Sequence, residues 1–287
     1  MRQTLGWCIS MLFDRVATLE IETEAEVVAL GQVRLRFDVR KSRSDTPNEL
    51  FVEAWNVSPN TRAAAETTDA RARLKAGYTM AEVAVVADCE ITRTLFERRN
   101  PNTTLSITAQ EGANRLREER VTLSFEAGAT VQQVLDAIAG QLEFPLRPLD
   151  DVDLSQRLRG GYAHAGPAGV ALDDVVRRVG GRWSIQNSEL LVLNEQGRVE
   201  GEAVRLTPQS GLIGSPEPVE DRLSSERVVE DPRQGFRVTS LLLPQVEPGD
   251  IVEIESADVS GQFVVDQIQH RGDTRGPEWY SVLTVFE

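Results

Sequence analysis

Scarcity sets the first limits on this chain of 287 residues. It has two cysteines, Cys8 and Cys89, and two histidines, His164 and His270. Two cysteines cannot build a disulfide framework, and these few Cys and His residues assemble no zinc constellation of the usual spacing. A single bridge between Cys8 and Cys89 stays open. Positive charge is short as well: 31 Lys and Arg stand against 45 Asp and Glu, a formal charge of −14. Tight binding of duplex nucleic acid draws on counterions released by Lys and Arg, so this balance argues against it. Long apolar runs are also missing. The stretch Leu5 to Phe13 has nine residues, less than half the roughly 20 that a membrane-spanning helix requires. Arg2 precedes it, but Asp14 and Arg15 follow without a small-residue cleavage pattern, so a short arm or first strand is expected rather than a signal peptide. No membrane contact is expected.

What is present is a globular composition, 40% hydrophobic and 26% charged, which excludes a disordered or collagen-like chain. At roughly 100 to 200 residues per domain, the length implies two or three domains. From Phe13 to Gly112 the pattern is strand-like. Val33, Leu35, Phe37 and Val39 alternate with Arg34, Arg36, Asp38 and Arg40, the period of a strand with one buried face. Leu50, Val52 and Ala54 alternate in the same way with Phe51, Glu53 and Trp55. The polar segment Ser42 to Asn48 joins the two runs, which predicts an antiparallel hairpin. Asn56-Val57-Ser58-Pro59 closes it, because proline has no amide proton for the ladder. Further strands are expected at Leu74 to Ala76, Ala81 to Val86, Cys89 to Leu95 and Thr104 to Ala109. This part reads as a small β-barrel or sandwich.

The middle reads differently. After an extended Val121 to Phe125, Thr130 caps a helix in which Val131, Val134, Leu135, Ile138 and Leu142 recur at offsets of three and four. Pro145 marks the point by which it has ended. A second helix carries Leu172, Val175, Val176 and Val179 and stops at Gly180-Gly181. A hairpin follows, with Trp183 and Ile185 on one strand, a turn at Asn187-Ser188, and Leu190 to Leu193 on the other. Glu195 to Gly201 is a linker. Strands are then expected at Ala203 to Leu206, Gly235 to Leu243, Ile251 to Glu255, Phe263 to His270 and Trp279 to Val285, with loops at Ser215 to Asp231 and Arg271 to Glu278. The fold class is therefore mainly β with an α+β insert.

Sites of chemistry are not evident. Asp150, Asp151 and Asp153 lack the spacing of a calcium loop and read as solvated acids. His164 lies in GGYAHAGPAG, which lacks the lysine and the helix entry of a phosphate loop and reads as a flexible connection. His270 lies near Asp266 and Asp273, but no nucleophile elbow accompanies it. Asn56 and Asn102 sit in formal glycosylation triplets with no supporting context. Trp7, Trp55, Trp183 and Trp279 are scattered singly and read as core anchors. No catalytic, cofactor-binding or metal-binding residue is nominated.

One resemblance goes beyond these patterns. The segment Val33 to Arg62, with Pro47-Asn48, Asn56-Val57-Ser58-Pro59 and Thr61-Arg62, resembles the opening hairpin of hub and baseplate proteins of tailed phages. Thr130 to Leu193 resembles the middle domain of such hubs, and also the small helix-plus-hairpin domains of secretins. The closing part resembles the family's last β domain, with Leu241-Leu242-Leu243-Pro244, Pro248-Gly249-Asp250 and His270-Arg271-Gly272-Asp273. The arm Met1 to Leu12 and the stretch Ala63 to Gly77 carry no family pattern.

The resemblance implies a non-enzymatic virion protein of the tail baseplate, assembled in the host bacterial cytoplasm. Two small tube-like β-barrel domains, 13–118 and 202–287, would flank a helix-plus-hairpin module at 119–194, with an arm at 1–12 and a linker at 195–201. It further implies a homotrimer whose six barrels form a pseudo-sixfold ring that joins the tail tube protein to the tail spike among other baseplate proteins. DNA would pass through the ring without specific binding, past a lumen lined by Asp and Glu. No cofactor is implied. The alternatives are a tail-tip cell-wall hydrolase, which needs a cleft with perturbed carboxylates, and a secretin-like or secretion-system structural module.

Overall fold

The computed structural model describes residues 14–43, 47–112, 119–148, 152–186, 189–194, 203–220 and 234–287. The expectations for the N-terminal arm, Cys8, Trp7, Asp150, Asp151, the Asn187-Ser188 turn and the linker fall outside them. Eighteen strands and three helices are described, and thirteen of the strands belong to one sheet.

The first β unit holds β1 (Arg15–Glu22), β2 (Val27–Leu30), β3 (Leu35–Ser42), β4 (Glu49–Trp55), β5 (Arg71–Tyr78), β6 (Val83–Arg99) and β7 (Asn102–Gln110). The expected hairpin forms in register, with Phe37 opposite Val52 and Val39 opposite Leu50. Leu35, Val39, Leu50, Val52 and Ala54 are fully buried. The two runs expected at Ala81–Val86 and Cys89–Leu95 are one strand. It changes partner half-way, pairing with β5 up to Glu90 and with β7 from Glu90 to Arg99, with a bulge between Ile91 and Arg93. A bulge bends a strand and raises its twist, which lets one chain segment serve two sheet directions. Ser58-Pro59 ends the ladder as expected, and it also starts α1 (Pro59–Ala65), which the sequence pattern did not announce. Pro at the first helical position loses no bond, since that amide has no intrahelical partner. The Ser58 hydroxyl accepts the Thr61 amide at 3.1 Å.

The insert follows its pattern closely. β8 (Arg120–Phe125) leads to α2 (Val131–Leu142), β9 (Leu146–Pro148), β10 (Tyr162–Pro167), α3 (Ala168–Arg177), β11 (Gly181–Gln186) and β12 (Glu189–Asn194). Thr130 and Gln133 form a reciprocal capping box at the start of α2. That helix ends at Glu143, in left-handed geometry with φ 56°, two residues before Pro145. Val134, Leu135, Ile138, Leu172, Val175 and Val176 close a core of their own. One expectation fails here: GGYAHAGPAG is not a loose connection, because Tyr162–Pro167 pairs with β8 along its whole length. The strand turns Tyr162 and Gly166 inward and leaves Ala163 and Ala165 exposed.

The second β unit holds β13 (Val204–Leu206), β14 (Leu212–Glu220), β15 (Gln234–Leu241), β16 (Ile251–Glu255), β17 (Ser260–Asp273) and β18 (Trp279–Phe286). Two loop expectations are corrected. Ser215 to Glu220 belongs to β14, which the prolines and glycine disguised, and β17 continues through Arg271–Asp273 before turning. The two units are joined directly: β3 and β17 pair antiparallel from Arg36 opposite Asp273 to Ser42 opposite Gln267.

Candidate assembly surface

Among the described residues no group of three or more His, Cys, Asp or Glu is placed to hold a metal ion. Asp153 caps its own turn by accepting the Ser155 amide at 3.0 Å. His164 is half-buried, with Nε2 at 3.2 Å from the Pro167 carbonyl oxygen. His270 is fully buried, and burial, with Lys41 adding to it, pushes its pKa down to about 3. Its Nδ1 meets the Ser281 hydroxyl at 2.9 Å, while the Asp273 carboxylate is held instead by Arg34 at 2.6 Å. No hydrolytic triad forms there. Trp183 and Trp279 are core anchors as expected, whereas Trp55 is half-exposed and stacks under the Arg34 guanidinium at 4.5 Å. Cys89 is a free, buried thiol.

The structure instead presents a surface. Strands β14-β15-β18-β17-β3-β4-β7-β6 form one continuous eight-stranded span. Its inner face is buried against the two β cores, and most described side chains of its outer face are exposed or half-buried. Register places residues of the outer face in rows that cross the span. One row runs Leu241, Tyr280, Arg271, Asp38, Phe51, Thr108, and its neighbour runs Thr239, Val282, Gln269, Arg40, Glu49, Gln110. Charges on this face are mutually engaged. Asp38 accepts from Gln269 at 2.8 Å and pairs with Arg271 and Arg40 at 3.2 Å; Arg36 pairs with Glu278 at 3.0 Å. Exposed ion pairs of this kind add roughly 0–1 kcal/mol each, so they set register and surface character more than stability. A cleft of about 550 Å³ opens where β3, β17, β18 and β15 meet, lined by Arg40, Glu49, Arg237 and Gln267 among others.

Behind the seam lies a buried polar layer. Lys41 donates to both Glu247 carboxylate oxygens, at 2.7 and 2.8 Å, from a side chain only 1% exposed. Asn48 donates to Glu111 at 2.7 Å and to the Ile185 carbonyl at 3.1 Å, which ties the insert to the first β unit. Buried ion pairs fix geometry rather than add much net stability. Sequence reading passed over Lys41 and Glu247, yet a signal was there. Lys41 continues the buried parity of Leu35, Phe37 and Val39, and a lysine at a core position needs a carboxylate from elsewhere.

The 43 kDa tail protein of prophage MuSo2 from Shewanella oneidensis shares this architecture over 94% of this chain and 98% of its own, with TM-score 0.64 and 9% identity. The fold is a phage tail-protein fold. The tail protein from Neisseria meningitidis MC58 matches over 94% and 96% of the two chains, with TM-score 0.63 and 10% identity. The E. coli c3393 protein is described as a component of the type VI secretion system with structural similarity to the T4 tail proteins gp27 and gp5. It matches over 92% of this chain and 76% of its own, with TM-score 0.58 and 12% identity. No family model and no curated protein sequence matches. Tail-protein architecture is thus shared in three dimensions with hardly any sequence in common.

The tail-protein fold of this chain contains an internal repeat that its sequence conceals. The first unit orders its strands β3-β4-β7-β6-β5, and the second orders them β14-β15-β18-β17-β16. Chain order runs the same way through both. The long fourth strand of each has its bulge at the same place: Ile91/Arg93 opposite Ala109 and Thr108, and Val265/Gln267 opposite Val285 and Thr284. Equivalent core positions follow, such as Val52 with Val238, Ile107 with Leu283 and Phe96 with His270.

Proposed function

We propose that the chain is a baseplate hub protein, a non-enzymatic virion component that acts as a homotrimer. In this reading the first β domain spans 13–118, the insert 119–194, the linker 195–201 and the second β domain 202–287, after an arm at 1–12. The observation that carries it is the internal repeat: two β units of one strand order, joined side by side through β3 and β17. Three copies of a two-unit chain give six quasi-equivalent positions, the number needed to meet a sixfold tube on one side and a threefold spike on the other. The tail tube protein, the spike and other baseplate proteins are the partners, assembled in the host bacterial cytoplasm. Permanent contacts of this kind bury roughly 2,000 Å² or more.

One earlier expectation changes within this reading. If the eight-stranded outer face lines the bore, its acids do not dominate it, because Arg36, Arg40, Arg237 and Arg271 stand among Asp38, Glu49 and Glu53. A bore of this kind would be near neutral rather than acidic, with Arg36, Arg40 and Arg271 paired to carboxylates beside them and Thr, Ser and Gln side chains in between.

Likeness to the type VI secretion component, over most of this chain, favours a second reading in which the same ring serves a contractile secretion machine. Reconstruction of the particle that contains the chain tests both. Three copies around a central axis between tube and spike are expected; a single copy, or a position away from the axis, would overturn the hub role.

A further inference from the structure

We propose that the cleft at the seam of the two β units binds a phosphate group, held between Arg237 of the second unit and Arg40 of the first. The site lies within one chain and stands whatever the number of copies.

The cleft, of about 550 Å³, opens on the outer face of the span, and strand register lays out its floor. Arg237, Thr284, Gln267 and Ser42 stand in one row across β15, β18, β17 and β3. Three strand spacings of roughly 4.8 Å put the ends of that row about 14 Å apart. Arg237 forms one end, and Arg40, two residues from Ser42, flanks the other. Both arginines line the cleft.

Charge singles out Arg237. On the same face Arg36 meets Glu278 at 3.0 Å, and Arg271 and Arg40 meet Asp38 at 3.2 Å. Arg237 has no ion pair among the described residues, although Glu217 is its neighbour on β14. Arg40 engages Asp38 through Nε alone and its side chain is 63% exposed, so its two terminal nitrogens stay available. The Thr284 hydroxyl and the Gln267 amide between them make no side-chain hydrogen bond among the described residues. Glu49, the one carboxylate in the lining, accepts from Gln110 at 3.1 Å, and the Lys41 ammonium is turned to Glu247 and takes no part.

What converges is a set of donors: two guanidinium groups, an amide and a hydroxyl. A tetrahedral phosphate, with several acceptor oxygens, matches that set better than a carboxylate, whose two oxygens a single arginine fork already satisfies. Two arginines do not make a nucleic-acid groove, because tight binding needs many phosphates neutralised at once. The site therefore takes one or two phosphates weakly, from the free ion or from the backbone of a nucleic acid strand.

The internal repeat supplies a control. In the first unit the row equivalent to Arg237, Thr284 and Gln267 is Phe51, Thr108 and Arg93. It has one arginine on the same face, but no further described strand beyond it to bring a second. β3 contributes Ser42 and Arg40 to the cleft only because it pairs with β17, so the site is a product of the seam.

The test follows binding of a short fluorescein-labelled single-stranded DNA to the full chain by anisotropy, at about 50 mM salt where phosphate contacts are strong. Arg237→Gln is expected to weaken binding at least fivefold and Arg40→Gln at least threefold, while Arg93→Gln, outside the cleft, changes it less than twofold. Equal losses in Arg237→Gln and Arg93→Gln would overturn the site in favour of diffuse charge, and so would no binding by the unaltered chain. The slope of log affinity against log salt is expected between about −0.7 and −1.4, for one or two phosphates, and a slope of about −3 or steeper would contradict so small a site. Inorganic phosphate at matched ionic strength should displace the strand at least fivefold more effectively than chloride; no difference would mean that the cleft does not recognise phosphate. A strand bound at least tenfold more tightly than the free ion identifies nucleic acid as the source, and equal affinities identify free phosphate. Thermal unfolding midpoints of the variants, expected unchanged, separate loss of the site from loss of the fold.

Discussion

The two β units share a strand order and a bulge position, but they are stabilised differently. In the first, the fourth and last strands meet over Phe96, Leu105, Ile107 and Ala109, an apolar interior continued by Phe37, Leu74 and Tyr78. In the second, the equivalent places include His270 and Ser281, with Ser240 beside them, all fully buried. The polar residues stand at the seam, where the second unit must meet Lys41 and the first unit's β3. Trp279 and Leu242, although they come from the second unit's part of the chain, pack into the first unit's core. Common topology therefore does not require a common interior. Topology follows from strand pairing and bulges, while the interior records which neighbour each unit has to hold.

That contrast can be broken experimentally at several points, beginning with the largest effect. Glu247→Leu takes the carboxylate away from buried Lys41 and is expected to cost about 3 kcal/mol or more, with much of the loss recovered in Lys41→Met/Glu247→Leu. Urea unfolding of the two variants measures this, and equal stability of single and double variant would show that the pair does not hold the seam. Next come Ile107→Ala and Leu283→Ala, equivalent and fully buried positions in the two units. Each is expected to lose about 2–5 kcal/mol. A loss several-fold smaller at Leu283 would mean that the second unit is not a packed domain in its own right.

The pH profile sharpens the comparison further. His270 has a folded pKa of about 3 against an ordinary 6.5, so between these values the unfolded chain binds more protons than the folded one. Stability is then fully present above about pH 6.5 and falls as acid is added, by up to about 1.4 kcal/mol per pH unit, until the folded pKa is reached. Buried Asp250, whose pKa is raised, acts in the opposite sense near its own range, and Asp273, lowered by Arg34, adds to the acid loss. His270→Phe, which installs the first unit's residue, isolates the histidine. The slope between pH 6 and 4 should flatten relative to the unaltered protein, and an unchanged slope would assign it to the carboxylates. The smallest effect is expected in the insert, where Thr130→Ala removes the cap of α2 at a cost of about 1 kcal/mol. Because the insert has a core of its own, this loss should appear in its helical signal without moving the β signal.

How far these features could be read beforehand depended on the range of the interaction involved. The β3–β4 hairpin and both longer helices were legible because alternation and the i, i+3, i+4 spacing are local consequences of backbone geometry. α1 was missed because its seven residues, Pro59–Ala65, carry too little periodicity, and the Ser58-Pro59 pair serves equally to end a strand and to begin a helix. β14 was missed because Gly214, Pro216 and Pro218 are loop residues by composition, and only an edge position makes them tolerable in a strand. The candidate surface was not legible as a surface. Arg40, Gln269 and Val282 come from distant parts of the chain, and their common row depends on strand pairings whose register includes the bulge in β17.

By itself the sequence determined the classes of most elements, the mainly β fold class with its α+β insert, the small number of Cys and His residues and the excess of negative charge. Each is a sum over residues or a short-range pattern. The tertiary structure alone decided that β3 and β17 make one sheet of two units and that those units repeat each other in strand order. Strand pairing between residues more than 200 positions apart is carried by backbone hydrogen bonds that any residue except proline can donate, so it leaves little trace in the side chains.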